Sequence, residues 1–288
     1  MSTNESYYIP SKATWPFLVV FGLTMFLAGF ANLINESALG KPMMILGGVT
    51  FIIMVAGWFS LQALESEHGI YNDQVGQSYR LGMMWFIFSE VMFFAAFFGA
   101  LFYARALSVP WLGGEGSGPG TSTNLLWEGF SAVWPTSGPG DRYGFHESMG
   151  AWGLPALNTL ILLSSGATVT WAHWGLIANN RQQLIRGLIA TVTLGFLFVA
   201  LQATEYHEAY TEMGLTLGSG IYGTTFFMLT GFHGMHVTLG AIILSVVLFR
   251  SIRGHFSKEN HFVFEAAAWY WHFVDVVWLL LFIFVYWL

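Results

Sequence analysis

Seven stretches of this chain are apolar for long enough to cross a lipid bilayer, and that constrains the fold more than any other feature. A helix through about 30 Å of hydrocarbon needs roughly 20 mostly apolar residues. The stretches are 15–34, 42–63, 81–104, 152–177, 184–206, 221–249 and 264–287. Within a bilayer every backbone N–H and C=O must be satisfied inside the protein, which leaves helices or a closed barrel. Barrel strands alternate polar and apolar residues over about ten positions, whereas these runs are continuously apolar. The predicted fold class is therefore all-α, a polytopic membrane protein with seven transmembrane helices in a single membrane domain, 1–288. Composition agrees: 9% of residues are charged and 55% hydrophobic, against about 25% charged in a soluble domain. Disorder is excluded by the same figures. Ten Lys and Arg against sixteen Asp and Glu give no basic face for nucleic acid. With no Cys there are no disulfides, thiolate metal sites or Cys nucleophiles.

Seven spans put the loops into two sets. One comprises the N-terminus and the loops after the second, fourth and sixth spans; it holds Lys12, Arg80, Arg181, Arg186, Arg250, Arg253 and Lys258. The other holds Lys41, Arg105 and Arg142. The basic excess predicts that the first set is cytoplasmic, with the N-terminus inside and the C-terminus outside. Tyr286 and Trp287 suit the interface at the end of the last span. The opening MSTNESYYIPSKAT lacks a basic start, so direct insertion of the first span is expected rather than cleavage of a signal peptide. Residues 105–151 read as a long outer loop rich in Gly, Pro and Ser. It follows the third span, and no internal repeat is visible.

Charged groups at mid-membrane cost on the order of 2.5–3.5 kcal/mol each, so each needs a reason. Glu90 lies about 14 Å into the third span at 1.5 Å per residue. It reads equally well as a proton-handling carboxylate or as a neutral carboxyl joining two helices. His233 and His236 share a face of the sixth span. Glu265, Trp269, His272 and Asp275 form a stripe on the seventh; His173 ends the fourth span, and Gln202, Glu205, His207 and Glu208 end the fifth. Nine His in a bundle invite comparison with haem or metal sites. No Glu-x-x-His repeat marks a di-iron centre, so hydrogen bonding between helices is the preferred reading. Gly47, Gly48, Gly166, Gly231, Gly234, Gly240 and the 266–268 alanines permit close helix packing.

Several segments, taken in order, resemble subunit III of haem–copper cytochrome c oxidases. They are FIFSEVMFF (86–94), LPALNTLILLSSGATVTWAH (154–173), LGFLFVALQATEY (194–206), YGTTFFMLTGFHGMHV (222–237) and FEAAAWYWHFVDVVWLLLFIFVYW (264–287). The first two spans match by position and by Trp15-Pro16 more than by sequence. The resemblance implies a non-redox subunit of an aa3-type cytochrome c oxidase. Helices 1–2 (about 15–63) and 3–7 (about 81–287) would form a V with phospholipids in its cleft. Haems and copper would lie in partner subunits I and II, with none in this chain. Cytochrome c would bind the complex, not primarily this subunit. The chain would stabilise subunit I, sustain proton uptake, limit turnover inactivation and offer oxygen a lipid route.

By position, Glu90 is the buried carboxylate of the family's Ser-Glu-Val motif, with an auxiliary role. Arg250 and Trp58 correspond to lipid-binding positions. His233, His236 and His272 become network residues rather than ligands, together with His173, Glu205, His207, Glu265 and Asp275; neither a catalytic residue nor a metal ligand is assigned. The sequence departs from the family after the second span, where Trp58 to Glu65 lacks the usual basic residues. Trp171-Ala172-His173-Trp174 replaces the usual Trp-Ala-His-His, and the outer loop is longer. Subunit III of a quinol oxidase is the nearest alternative, but those chains usually have five spans. An independent transporter should show two matching halves with broken helices, and none is seen. A bacterial inner membrane is the expected location.

Overall fold

The computed structural model describes residues 14–115, 127, 130–139 and 147–288. Lys12, Arg142 and most of the Gly- and Pro-rich stretch between 116 and 146 lie outside the described residues. The described residues are all-helical with no strand, and seven helices are long and apolar enough to span a membrane. They are α1 (Trp15–Ile34), α2 (Gly40–Glu67), α3 (Asp73–Leu112), α4 (Leu154–Ile177), α5 (Arg181–Thr211), α6 (Gly220–Arg253) and α7 (Phe262–Trp287).

The centres fall where the apolar runs predict, but most helices outrun them. α3 starts at Asp73 rather than near 81, and α5 and α6 are 31 and 34 residues long. Apolarity marks only the part in hydrocarbon; beyond it each further residue still gains an i→i−4 hydrogen bond, so the helix continues to a stop signal. Gly254, left-handed at φ 80°, is such a stop after α6. Asn180 caps the start of α5, its side-chain oxygen accepting from Gln183 N–H at 3.2 Å. Pro16 and Pro155 occupy first turns, where the missing N–H removes no helical bond.

The reading of 105–151 as loop needs correction at its start. The helix runs on through Leu112, widening into a π-helical segment at Ala104–Ser108 just before Val109-Pro110. Proline removes a donor and crowds the preceding turn, and widening that turn lets the chain remain helical.

The chain forms two compact units, one ending at Leu81 and the other running Gly82–Leu288. In the first, α1 packs on α2 through glycine. A Cβ on Gly22 would lie 2.7 Å from Phe51 N, and Cβ atoms on Gly29 and Gly47 would strike the backbones of Met44 and Phe26. Only hydrogen at these positions allows so close an approach. At the end of α2, the Tyr71 hydroxyl lies 2.7 Å from both Gln62 Oε1 and Glu65 Oε2, and the Tyr79 hydroxyl donates to Gln62 Oε1 at 2.7 Å. The polar residues that replace the family's basic ones after the second span thus tie α2 to the start of α3. Burial, followed by the hydrogen bonds to Tyr79 and Glu65, pushes the Tyr71 phenol well up from its ordinary range.

In the second unit α4 packs against α5, α5 against α6, α6 against α7, and α7 back against α4. Small residues close the α4–α5 seam: a Cβ on Gly187 would sit 2.7 Å from the Ala172 Cβ. Indoles close the α4–α7 seam, Trp271 Nε1 donating to Ser165 Oγ and Trp278 Nε1 to Thr159 Oγ1, each at 2.9 Å. From Gly82 onward α3 touches this ring through long side chains. Phe93 and Phe97 stack edge-on or tilted against Phe232, and Phe94 against Phe273. Arg105 donates to the main-chain oxygen of Leu288, and Arg181 to that of Ile252. Each contact joins chain ends assigned to the same side by the loop count.

Candidate functional site

Among the described residues, the predicted polar residues separate into several groups. Each is built across a helix seam of the second unit.

Glu90 of α3 meets His236 of α6, Oε2 to Nε2 at 3.0 Å. The other ring nitrogen, Nδ1, lies 2.6 Å from the Phe232 carbonyl oxygen. A carbonyl only accepts, so Nδ1 carries hydrogen. A neutral ring then offers Nε2 as an acceptor, and a protonated carboxyl must donate; otherwise an imidazolium donates to a carboxylate. Either way a single proton lies between the two. Phe93, Phe94, Tyr270 and Phe273 surround the imidazole with ring centroids 5.1–6.4 Å away, and its side chain is 7% exposed.

Glu205 of α5 is fully buried and accepts from the Tyr286 hydroxyl at 2.6 Å. Its second oxygen, Oε2, has no hydrogen-bond partner among the described residues. Nearby, Tyr206 meets Thr230 Oγ1 at 2.6 Å, and Gln202 Nε2 donates to the Thr230 carbonyl at 3.0 Å. Tyr286 corrects the interface reading. It is buried, while only its neighbour Trp287 is exposed. Both stand in a π-helical last turn, Phe282–Trp287; the interface reading rested on aromatic type at the end of a span, which does not tell the side facing the bundle from the side facing out. A carboxylate within an apolar run, even near its end, needs a donor from elsewhere, and that was the signal available in the sequence.

His233, fully buried, approaches the Val274 carbonyl through Nε2 at 3.2 Å and lies beside the rings of Phe198 and Trp278, which also touch each other. On the α4–α7 seam, His272 Nε2 lies 3.1 Å from Thr170 Oγ1, whose own hydrogen goes to Gly166 O at 3.0 Å. Nε2 is therefore the donor, and Nδ1 faces Asp275 Oδ2 at 3.4 Å. A Cβ on Gly166 would collide with that carboxylate, so glycine makes room for the acid.

A third histidine–carboxylate pair lies where α7 begins. His261 Nδ1 lies 3.1 Å from the Ser257 carbonyl, and Nε2 faces Glu265 Oε1 at 3.4 Å. His173 of α4 joins them, its ring 5.5 Å from that of His261 and 5.2 Å from Phe264. One donor atom from each of His173, His261 and Glu265 lies within 4.8 Å of the other two. Two imidazoles and a carboxylate can hold a metal ion. His261 was not singled out by sequence reasoning; its i, i+4 spacing to Glu265 was the available signal.

Three further predicted residues lie outside these groups. The His207 ring is exposed and in no hydrogen bond to a described residue; only its carbonyl is used, by Thr211 Oγ1. Trp58 is half-buried and stacked on Phe59. The Arg250 guanidinium lies 4.9 Å over the Phe256 ring.

Two comparisons with known proteins bear on this arrangement. The family described as Cytochrome c oxidase subunit III matches residues 5–288. The chain is 40% identical to "Cytochrome c oxidase subunit 3" of Drosophila melanogaster over 290 residues, covering 100% of this chain and 99% of the relative. It is 39% identical to the protein of that name from Struthio camelus and 36% to that from Homo sapiens, each over 285 residues and 97% of the relative's length.

Proposed function

The chain belongs to the cytochrome c oxidase subunit III family, and on that premise we propose that it is the non-redox subunit III of an aa3-type cytochrome c oxidase. In this reading, haems and copper reside in partner subunits I and II. Electrons pass from cytochrome c through subunit II to subunit I, where oxygen is reduced and protons are pumped. Cytochrome c docks on the complex rather than on this chain. This subunit stabilises subunit I, sustains its proton uptake and binds phospholipid.

The observation that carries the reading is the match along nearly the whole chain. The Glu90–His236 pair supports an auxiliary role for Glu90, since its carboxyl is committed to a neighbouring helix. Phospholipid binding draws support from Arg250, a cation at the end of α6 beside an aromatic ring. The seven-to-three distribution of basic residues supports a cytoplasmic N-terminus. A bacterial plasma membrane is the proposed location, on the strength of the extended loop after α3.

Affinity purification of the tagged chain from its native membrane tests the assignment. Subunits I and II should accompany it, with haem and copper, and the complex should oxidise cytochrome c. Removal of the chain should leave the haem spectrum intact, with oxygen reduction normal at first and decaying during turnover. A Soret band belonging to the isolated chain, or loss of all haem on its removal, contradicts the proposal. Oxidation of quinol in place of cytochrome c shifts it to the quinol oxidase branch.

A further inference from the structure

We propose that the second unit encloses ordered water between α4 and α5, held by the side-chain amide of Asn158 and the second carboxyl oxygen of Glu205.

Unmet hydrogen bonding comes first. Asn158 is fully buried, and neither Oδ1 nor Nδ2 has a hydrogen-bond partner among the described residues. An amide carries two N–H donors and an oxygen that accepts twice. Glu205 is fully buried as well; Oε1 takes the Tyr286 hydroxyl at 2.6 Å, and Oε2 has no partner among the described residues. Buried polar groups in native proteins are satisfied by protein or by ordered water. The neighbouring side chains are already committed. Trp278 Nε1 donates to Thr159 Oγ1 beside Asn158, Gln202 Nε2 donates to the Thr230 carbonyl, and the Tyr206 hydroxyl meets Thr230 Oγ1.

The second observation is register. α4 and α5 run antiparallel: Gly175 stands against Leu184, Ala172 against Gly187, and Thr168 against Thr191. The same register puts Glu205 opposite Leu154, one turn from Asn158, or about 6 Å along the axis at 1.5 Å per residue. Side chains on a helix lean toward its N-terminus. Asn158 therefore leans toward the level of Glu205, and Glu205 leans toward the level of Asn158. Two polar side chains brought this near without bonding to each other leave a role for a bridging molecule.

Water fits that role because it both donates and accepts: it can take an Asn158 N–H and give a hydrogen to Glu205 Oε2. Interior waters typically make about three hydrogen bonds, and proteins hold roughly one per 27 residues. A hard cation takes about six to eight oxygens, more than this pair supplies. Toward the middle of the helices, Phe198 and Trp278 are fully buried and pack edge-on at 4.7 Å, which closes the site on that side. The last turn of α7, which carries Tyr286, also touches α4. Tyr286 ties α7 to α5 through Glu205, and the water extends the tie to α4.

The test uses the full-length protein in whatever assembly it purifies with, so it does not depend on the proposed function. High-resolution electron cryomicroscopy should show a density peak within about 3.2 Å of both Glu205 Oε2 and an Asn158 amide atom. Hydroxyl-radical footprinting in oxygen-18 water gives a second readout, because radicals formed from enclosed water oxidise the side chains around it. Tyr286 and Trp278 should take up label despite their burial. Trp271, equally buried and bonded to Ser165 Oγ, should stay at background. Asn158→Leu should bring Tyr286 and Trp278 down to the level of Trp271. The wild-type density and the comparison with Trp271 decide the matter even if that variant does not fold. A direct hydrogen bond between Asn158 and Glu205, density that grows heavier when sodium is exchanged for thallium(I), or label at Tyr286 and Trp278 no higher than at Trp271 overturns the proposal.

Discussion

His236 Nε2 lies 3.0 Å from Glu90 Oε2, while Nδ1 of the same ring is committed to the Phe232 carbonyl. The ring therefore cannot turn its second hydrogen toward Glu90 unless it becomes an imidazolium. A glutamine at position 90 supplies an N–H that can donate to Nε2 and keeps the bridge between α3 and α6. Glu90→Gln should thus retain assembly and most initial oxygen consumption. Glu90→Ala should lose about 1–3 kcal/mol of stability, the cost of an abandoned buried partner. Oxygen-electrode rates and thermal unfolding of the two variants check this; abolition of oxygen consumption by Glu90→Gln would show that the carboxylate is indispensable.

The same logic applies more severely to Glu205, which is fully buried with the Tyr286 hydroxyl its only described hydrogen-bond donor. Tyr286→Phe keeps the ring packed on Phe226 and Trp278 and removes only that donor. We expect a loss of roughly 1–3 kcal/mol. Replacing both partners, Glu205→Leu with Tyr286→Phe, should cost less than the sum of the single changes, because no orphaned acid remains. Denaturant unfolding in detergent for the four proteins of the cycle gives the coupling; strict additivity would sink the pairing.

How far the sequence could be read follows from these groups. The span centres were legible because the bilayer demands about 20 apolar residues in a row. The ends were not, because α3 and α5 run on past their apolar stretches to stop signals that apolarity does not mark. Glu90, Glu205 and Asp275 were recognisable as acids in need of a reason. Their partners were only partly legible. Asp275 pairs with His272 three residues away on its own helix, within reach of periodicity. Glu90 and Glu205 reach across to α6 and α7, and helix order around a bundle is invisible to spacing. Tyr286 was misplaced because an aromatic residue at the end of a span does not reveal which side of the helix faces the bundle.

Gly47, Gly166 and Gly240 were legible as packing sites but not by partner, and Gly187 was not singled out. Gly187 faces Ala172 across the α4–α5 seam. Gly187→Leu should separate these helices and destabilise the chain by roughly 1–3 kcal/mol or more through overpacking. Gly82, with open space around its position, provides the control: Gly82→Ala should be neutral or slightly stabilising, because alanine favours helix by about 1 kcal/mol. Thermal unfolding of both variants distinguishes the two sites, and equal effects would contradict the close contact.

Tyr71 lies between α2 and α3, outside the spans, with its hydroxyl held by Gln62 and Glu65. Burial, followed by the hydrogen bonds to Tyr79 and Glu65, raises its proton affinity in the folded protein above that of an ordinary phenol. The sign follows from linkage. Below the unfolded phenol's range, near pH 10, both states hold the proton and the favourable contribution is fully present. Above it the unfolded chain releases a proton that the folded chain keeps, so stability falls as pH rises. Tyr71→Phe should lower stability at neutral pH slightly and remove part of the alkaline decline. A difference titration of phenolate absorbance, wild type minus Tyr71→Phe, should show one phenol that resists ionisation beyond the ordinary tyrosine range. A difference curve centred near pH 10 would mean that burial and the contacts with Tyr79 and Glu65 do not hold the proton.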